Sequence, residues 1–129
     1  QAQKKLNLVL LLYFILGACI TVFLLLASDI MVKVLLGTGF EQASNIIVYL
    51  VPISVLVPLS NCIGYLWLLA NERDRSFNRI IGFAALINIT FGLVLTFSFG
   101  IVGTAIAVVV SEFYVTISFF LMKRRQEIK

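Results

Sequence analysis

The chain has 129 residues, of which 61% are hydrophobic and 12% charged, with a mean hydropathy of +1.09. A soluble domain is about 45–50% apolar and about 25% charged. Half the usual charge excludes a water-soluble globule, a disordered tail and a secreted disulfide scaffold, and points to a bilayer as the solvent. The absence of histidine excludes His-based metal sites and His-dependent catalysis. The chain begins at Gln1 and reads as a piece of a longer protein or a processed or incomplete product, with no recognisable signal peptide.

Charges cut the sequence into apolar runs: residues 6–28, 42–71 and 80–111 carry none. A spanning helix needs about 20 residues for a hydrocarbon core about 30 Å thick. Residues 80–122, interrupted only by Glu112, would reach about 64 Å as one helix, so this stretch must double back. Gly100 and Gly103 mark the turn. The expectation is an all-α membrane protein with four transmembrane helices, at about 6–27, 44–70, 80–99 and 102–122. Between the first two, Thr38-Gly39-Phe40-Glu41 fits a capping box, with Thr38 as N-cap and Glu41 at the third helical position.

Nine of the ten basic residues fall on alternate connections, and Lys33 alone falls on the others. By the positive-inside rule both ends and the 71–79 loop are expected to be cytoplasmic. The net charge of +4 is thereby a topology signal, and nucleic acid is not an expected partner. Arg73, Arg75 and Arg79 either serve this topology or hold a diphosphate head group, since guanidinium forks suit phosphate. Trp67 and Tyr65 approach the cytoplasmic interface, where amphipathic rings are favoured.

Each span carries small or polar residues at helical spacing. These are Tyr13, Gly17, Thr21 and Ser28; then Ser54, Pro58, Asn61 and Tyr65; then Gly82, Ala85, Asn88, Gly92 and Thr96; then Gly103, Ala107 and Ser111. Such stripes either pack helix on helix or line a polar passage. Asn88 and Glu112 each lie about 18 Å from the Gly100 turn, near the midplane, with Asn61 at a comparable level. An acid at mid-span is costly. Glu112 is either a structural hydrogen-bonding group, with Asn88 as a partner, or a group coupled to transport. Pro52 and Pro58 interrupt the second span, as a static kink or as a flexible point with Asn61 one turn away. The candidate transport-path residues are therefore Glu112, Asn88, Asn61, Pro58 and Tyr65.

Ser28-Asp29-Ile30 through Leu36-Gly37-Thr38-Gly39-Phe40 resembles the "ii.llfG..F..A" stretch of polysaccharide flippases, with Ala43 following. Leu69-Ala70-Asn71-Glu72-Arg73-Asp74-Arg75 is similar to their "la.g..r" loop. Phe99-Gly100-Ile101-Val102-Gly103-Thr104-Ala105-Ile106-Ala107, ending in Ser111-Glu112, is similar to "yG..GaAiA...sE". The order and spacing of these motifs resemble the C-terminal part of the O-antigen and exopolysaccharide flippases, in the multidrug/oligosaccharidyl-lipid/polysaccharide exporter superfamily. The resemblance implies the last four helices of a twelve-helix, two-half transporter bundle in the bacterial inner membrane. Its implied partners are the bilayer, the N-terminal helices of the same protein and a polyprenyl-diphosphate-linked oligosaccharide as substrate. It implies no cofactor, no metal and no catalytic residue.

The transport expectation has competitors. One is a drug/cation antiporter of the multidrug and toxic-compound extrusion type. Another is a small four-helix multidrug exporter, whose family places an essential glutamate in its first helix, where residues 6–28 hold no acid. A third is a non-catalytic assembly subunit. A lipid-modifying enzyme is not expected, because no Ser-Lys, paired-carboxylate or metal constellation is present.

Overall fold

In hydrocarbon a backbone polar group finds no water, so long apolar runs satisfy themselves as helices. The computed structural model describes residues 2–37 and 39–127, the side chains of residues 2, 3, 41, 126 and 127 excepted. It contains α1 (Ala2–Leu36), α2 (Glu41–Leu50), α3 (Ile53–Ile63), α4 (Asp74–Phe99) and α5 (Ile101–Glu127), with no strand among the described residues. Four helical stretches are long and apolar enough to cross a membrane: Lys4–Leu36, Gln42–Asn71, Asp74–Phe99 and Ile101–Arg125.

The helices overrun the charge-defined limits. The 35 residues of α1 give a rod about 52 Å long, well beyond a core about 30 Å thick. The first connection is therefore residues 37–40, not 28–43, because Asp29 and Lys33 end the apolar run without ending the helix. Gly37, at φ +84°, bonds back from its N–H to the Lys33 carbonyl at 3.2 Å and closes α1. The N-cap position of α2 is Phe40, with no side-chain bond to the helix. The expected capping box falls on Thr38 and the Glu41 side chain, outside the described residues. Across this turn the Ser44 hydroxyl donates to the Asp29 carboxylate.

The second span is not one helix but a series of segments. Pro52 has no N–H for the Val48 carbonyl, which takes the Val51 N–H at 3.3 Å instead; the chain turns and α3 restarts at Ile53. Pro58 sits inside α3 without ending it. It leaves the Ser54 carbonyl without its i+4 donor, and α1 closes on that point. A Cβ on Gly17 would stand 2.7 Å from the Ser54 carbonyl oxygen, so glycine sets this approach. Thr21 and Ser54 share a hydroxyl hydrogen bond of 2.7 Å beside it.

Below α3, residues Gly64–Leu68 form a π-helical turn and Leu69–Asn71 a 3₁₀ turn. A Cβ on Gly64 would meet the Phe119 and Phe77 rings at 2.8 and 2.9 Å, so its absence admits both rings. These rings stack with centroids 5.5 Å apart. Around them Ile63, Leu68, Ile80, Ala84, Val115 and Phe119 form the buried core. The span ends at Glu72, in left-handed conformation at φ +55°. Arg73 N–H bonds to the Leu68 carbonyl and Glu72 N–H to the Leu69 carbonyl, both at 3.0 Å, the Schellman pattern of helix termination.

The turn between α4 and α5 is Gly100 alone, at φ +62° and ψ −139°. Gly103 lies inside α5, not in the turn. Its role is proximity, because a Cβ there would collide with the Leu95 carbonyl. It begins a ridge at four-residue spacing, Gly103, Ala107, Ser111, Val115, Phe119 and Lys123, every member buried. A four-residue step drifts about 40° around an α-helix, so five steps carry the ridge about halfway round. It faces α4 near the turn and reaches α1 at Lys123, whose Nζ donates to Asn7 Oδ1 at 3.2 Å. The packing follows: α1 lies on α2 and α3, α3 on α5, and α4 chiefly on α5.

Candidate functional site

The polar stripes serve two different ends. Along α4 and α5 they close on each other. Asn88 Nδ2 donates to Ser111 Oγ at 3.0 Å, and Thr96 and Thr104 share a 2.7 Å hydroxyl bond. Between these rungs Ala107 is fully buried opposite Gly92. Of the two readings of Glu112, the one that paired it with Asn88 is not what forms: Asn88 bonds Ser111, which lies on the buried ridge, and Glu112 is one position round from it. The lower stripe of α4 also shifts: Gly82 and Ala85 are exposed, while Ile80 and Ala84 pack inward behind Phe77.

Glu112 is half-buried on α5. One turn further, the Thr116 hydroxyl donates to the Glu112 carbonyl at 2.9 Å and lies 3.3 Å from the Leu56 carbonyl of α3. The face holding Glu112 is thereby turned toward the second span. Among the described residues no hydrogen bond or ion pair engages its carboxylate.

Between α1 and α3 the stripes meet at Gly17, Thr21 and Ser54 and part beyond that level. A cavity of about 310 Å³ opens there, lined by Tyr13, Val57, Pro58, Asn61, Cys62, Tyr65 and Leu66. Three of the sequence-selected residues, Pro58, Asn61 and Tyr65, meet in it, while Glu112 and Asn88 lie outside. Asn61 and Tyr65 are exposed, so the phenol and amide are presented to whatever enters. The Tyr65 ring is held by the Phe77 ring at 5.7 Å and 47°. Its position depends on the π-helical turn, a feature that frequently occurs at functional sites. Tyr13 completes the wall from α1; its place on that helix's polar stripe was the signal for it. Cys62, buried, also lines it, and nothing in the local sequence marks the π turn.

Arg73, Arg75 and Arg79 do not share a loop. Only Glu72 and Arg73 form the connection, and Arg75 and Arg79 stand one turn apart on α4, both exposed. None lines the cavity. Trp67 packs half-buried on the core. Among the described residues no group of three or more Cys, Asp or Glu comes together.

Four apolar spans around a bundled core define a multi-pass helical membrane protein. The chain is similar to the "Putative O-antigen transporter" of Escherichia coli (strain K12), 27% identical over 114 residues. The match covers 88% of this chain and 28% of that protein, so the chain spans little over a quarter of the relative's length. No protein-family model matches the chain, and no solved structure matches it.

Proposed function

We propose that the chain is the C-terminal membrane part of a flippase that moves a polyprenyl-diphosphate-linked oligosaccharide across the bacterial inner membrane by alternating access. The observation that carries this reading is the similarity, over most of the chain, to a protein named as an O-antigen transporter, on a framework of four spans. The broken second span supports it. With a proline break above and a π turn below, one span holds Asn61 and Tyr65 in an open cavity. Amide and phenol groups on an aromatic wall suit a hydroxyl-rich ligand. Glu112 is the candidate coupling group, and both ends with the Glu72–Arg73 turn face the cytoplasm.

The test is deletion of the complete gene followed by return of wild type or of Asn61→Ala. The deletion strain should lose surface polysaccharide and accumulate lipid-linked repeat units. Wild type should restore export, and Asn61→Ala should lower it at least tenfold at equal protein level. Unchanged surface polysaccharide after deletion would refute the reading. Reporter fusions at Lys5, Arg75 and Lys129 check the orientation, which fails if these sites report opposite compartments.

A further inference from the structure

A second cavity, of about 390 Å³, lies on the other side of α3, between α1, α3 and α5. Its walls are apolar but for Thr116, with Leu11, Phe14, Leu59 and Phe120 among them, and its polar end is formed by Asn7 and Lys123. The depth is legible from the helices. Asn7 to Phe14 on α1 is seven residues, about 10 Å of rise, and the groove runs that far from its polar end. Lys123 is 7% exposed, although it follows the last apolar run of the chain. Lysine near a membrane boundary ordinarily extends its ammonium outward to water. Here the Nζ is turned inward to Asn7, at the mouth of a hydrocarbon-lined groove.

We propose that this groove is a binding site for one anionic phospholipid, its acyl chain between α1, α3 and α5 and its phosphate at Lys123 and Asn7. Charge complementarity selects the occupant. Lys4, Lys5, Arg124 and Arg125 are exposed at the same end, so this level of the bundle attracts anionic head groups. Lys123 differs from them in being enclosed, so a phosphate at this point would join an ammonium that already has partners and a fixed direction. Basic pockets between membrane helices bind anionic lipid heads in this way. The cavity holding Asn61 and Tyr65 has no cation in its wall, so the two sites separate by chemistry.

The experiment is native mass spectrometry of the purified full chain in detergent, titrated with phosphatidylglycerol or phosphatidylcholine at equal mole fraction. Wild type should retain phosphatidylglycerol at least fivefold over phosphatidylcholine. Lys123→Gln should cut that preference below twofold, and Lys123→Arg should restore it. Arg124→Gln, which removes the same charge outside the groove, should leave it unchanged. Leu11→Trp, which fills the groove, should lower retention of both lipids and covers the case in which Lys123→Gln fails to fold. Equal loss in Lys123→Gln and Arg124→Gln would overturn the proposal in favour of diffuse surface charge. Complete displacement of the lipid by inorganic phosphate alone, or a dimer mass taking the place of lipid adducts, would overturn it as well.

Discussion

The α4–α5 hairpin and the α1–α3 pair are built from the same kinds of residue and end differently. In the hairpin, Gly103, Ala107 and Ser111 meet Leu95, Gly92 and Asn88, and two side-chain hydrogen bonds bridge the remaining distance. The ridge grows along α5 from glycine to phenylalanine, so backbone meets backbone near the Gly100 turn and the Phe119 and Phe77 rings fill the space at the far end. In the α1–α3 pair the close approach is confined to one level, Gly17 on Ser54 and Val55 with the Thr21–Ser54 hydroxyl bond beside it. Beyond it Pro58, Asn61 and Tyr65 face Tyr13 across open space. Small residues alone do not make a passage; a repeated small ridge closes a seam, and an isolated small residue with large polar ones after it leaves a gap.

The comparison breaks most sharply at Gly103. Gly103→Ala places a methyl on the Leu95 carbonyl, and backbone cannot rotate away as a side chain can, so the hairpin must separate. The expected loss is ~3 kcal/mol, the upper end for overpacking. Reversible denaturation in mixed micelles measures it, and a loss within error would show that α4 and α5 are not closed at this level. Gly17→Ala meets the Ser54 carbonyl and the Val55 Cα at 2.7 and 2.9 Å. The approach is less tight than that of Gly103 on Leu95, and the expected loss is ~2 kcal/mol. If Gly17→Ala proved the more damaging of the two, the ranking of the two pairs would be reversed.

The joint between the two regions offers a change of opposite sign. Glu72 holds a left-handed conformation that costs a non-glycine residue about 1–2 kcal/mol. The loop pattern "la.g..r" has glycine at this very place. Glu72→Gly should therefore stabilise the chain by ~1 kcal/mol, after subtraction of the greater entropy that glycine loses on folding. Destabilisation in the same denaturation experiment would mean that the Glu72 side chain contributes more than its backbone costs.

Much of this architecture is legible in residue type and spacing. The number of spans follows from run length against bilayer thickness. The Gly103, Ala107, Ser111 stripe of α5 is visible as spacing in the sequence. Helix ends are not legible from charge, because Asp29, Lys33 and Asp74 mark where hydrocarbon stops and hydrogen-bonded backbone does not stop there. Register between helices is not legible either: Asn88 and Glu112 share a depth, yet one position of rotation around α5 gives the amide to Ser111. The π turn depends on Phe77 and Phe119, 13 and 55 residues away from Gly64, and such a tertiary demand leaves no local mark. The cavity is half legible, since Pro58, Asn61 and Tyr65 share a stripe, but its far wall comes from α1.

The smallest expected change in stability is at the cavity itself. Asn61 is exposed, bonds no other described side chain, and stands where no helix closes on it. Asn61→Ala therefore removes no packing and should alter stability by less than ~0.5 kcal/mol, the range of surface substitutions. The same truncation takes an amide from the cavity wall and should depress export at least tenfold. Asn88→Ala is the matched control from the closed seam, because it leaves the Ser111 hydroxyl without that partner. Interhelical hydrogen bonds in membranes average about 0.6 kcal/mol, and Asn88→Ala should show at least that loss in stability with export retained. Two asparagines, one in each region, should thus separate function from stability in opposite directions. A pair of variants that lose both together would mean that the seam and the cavity are parts of one cooperative unit.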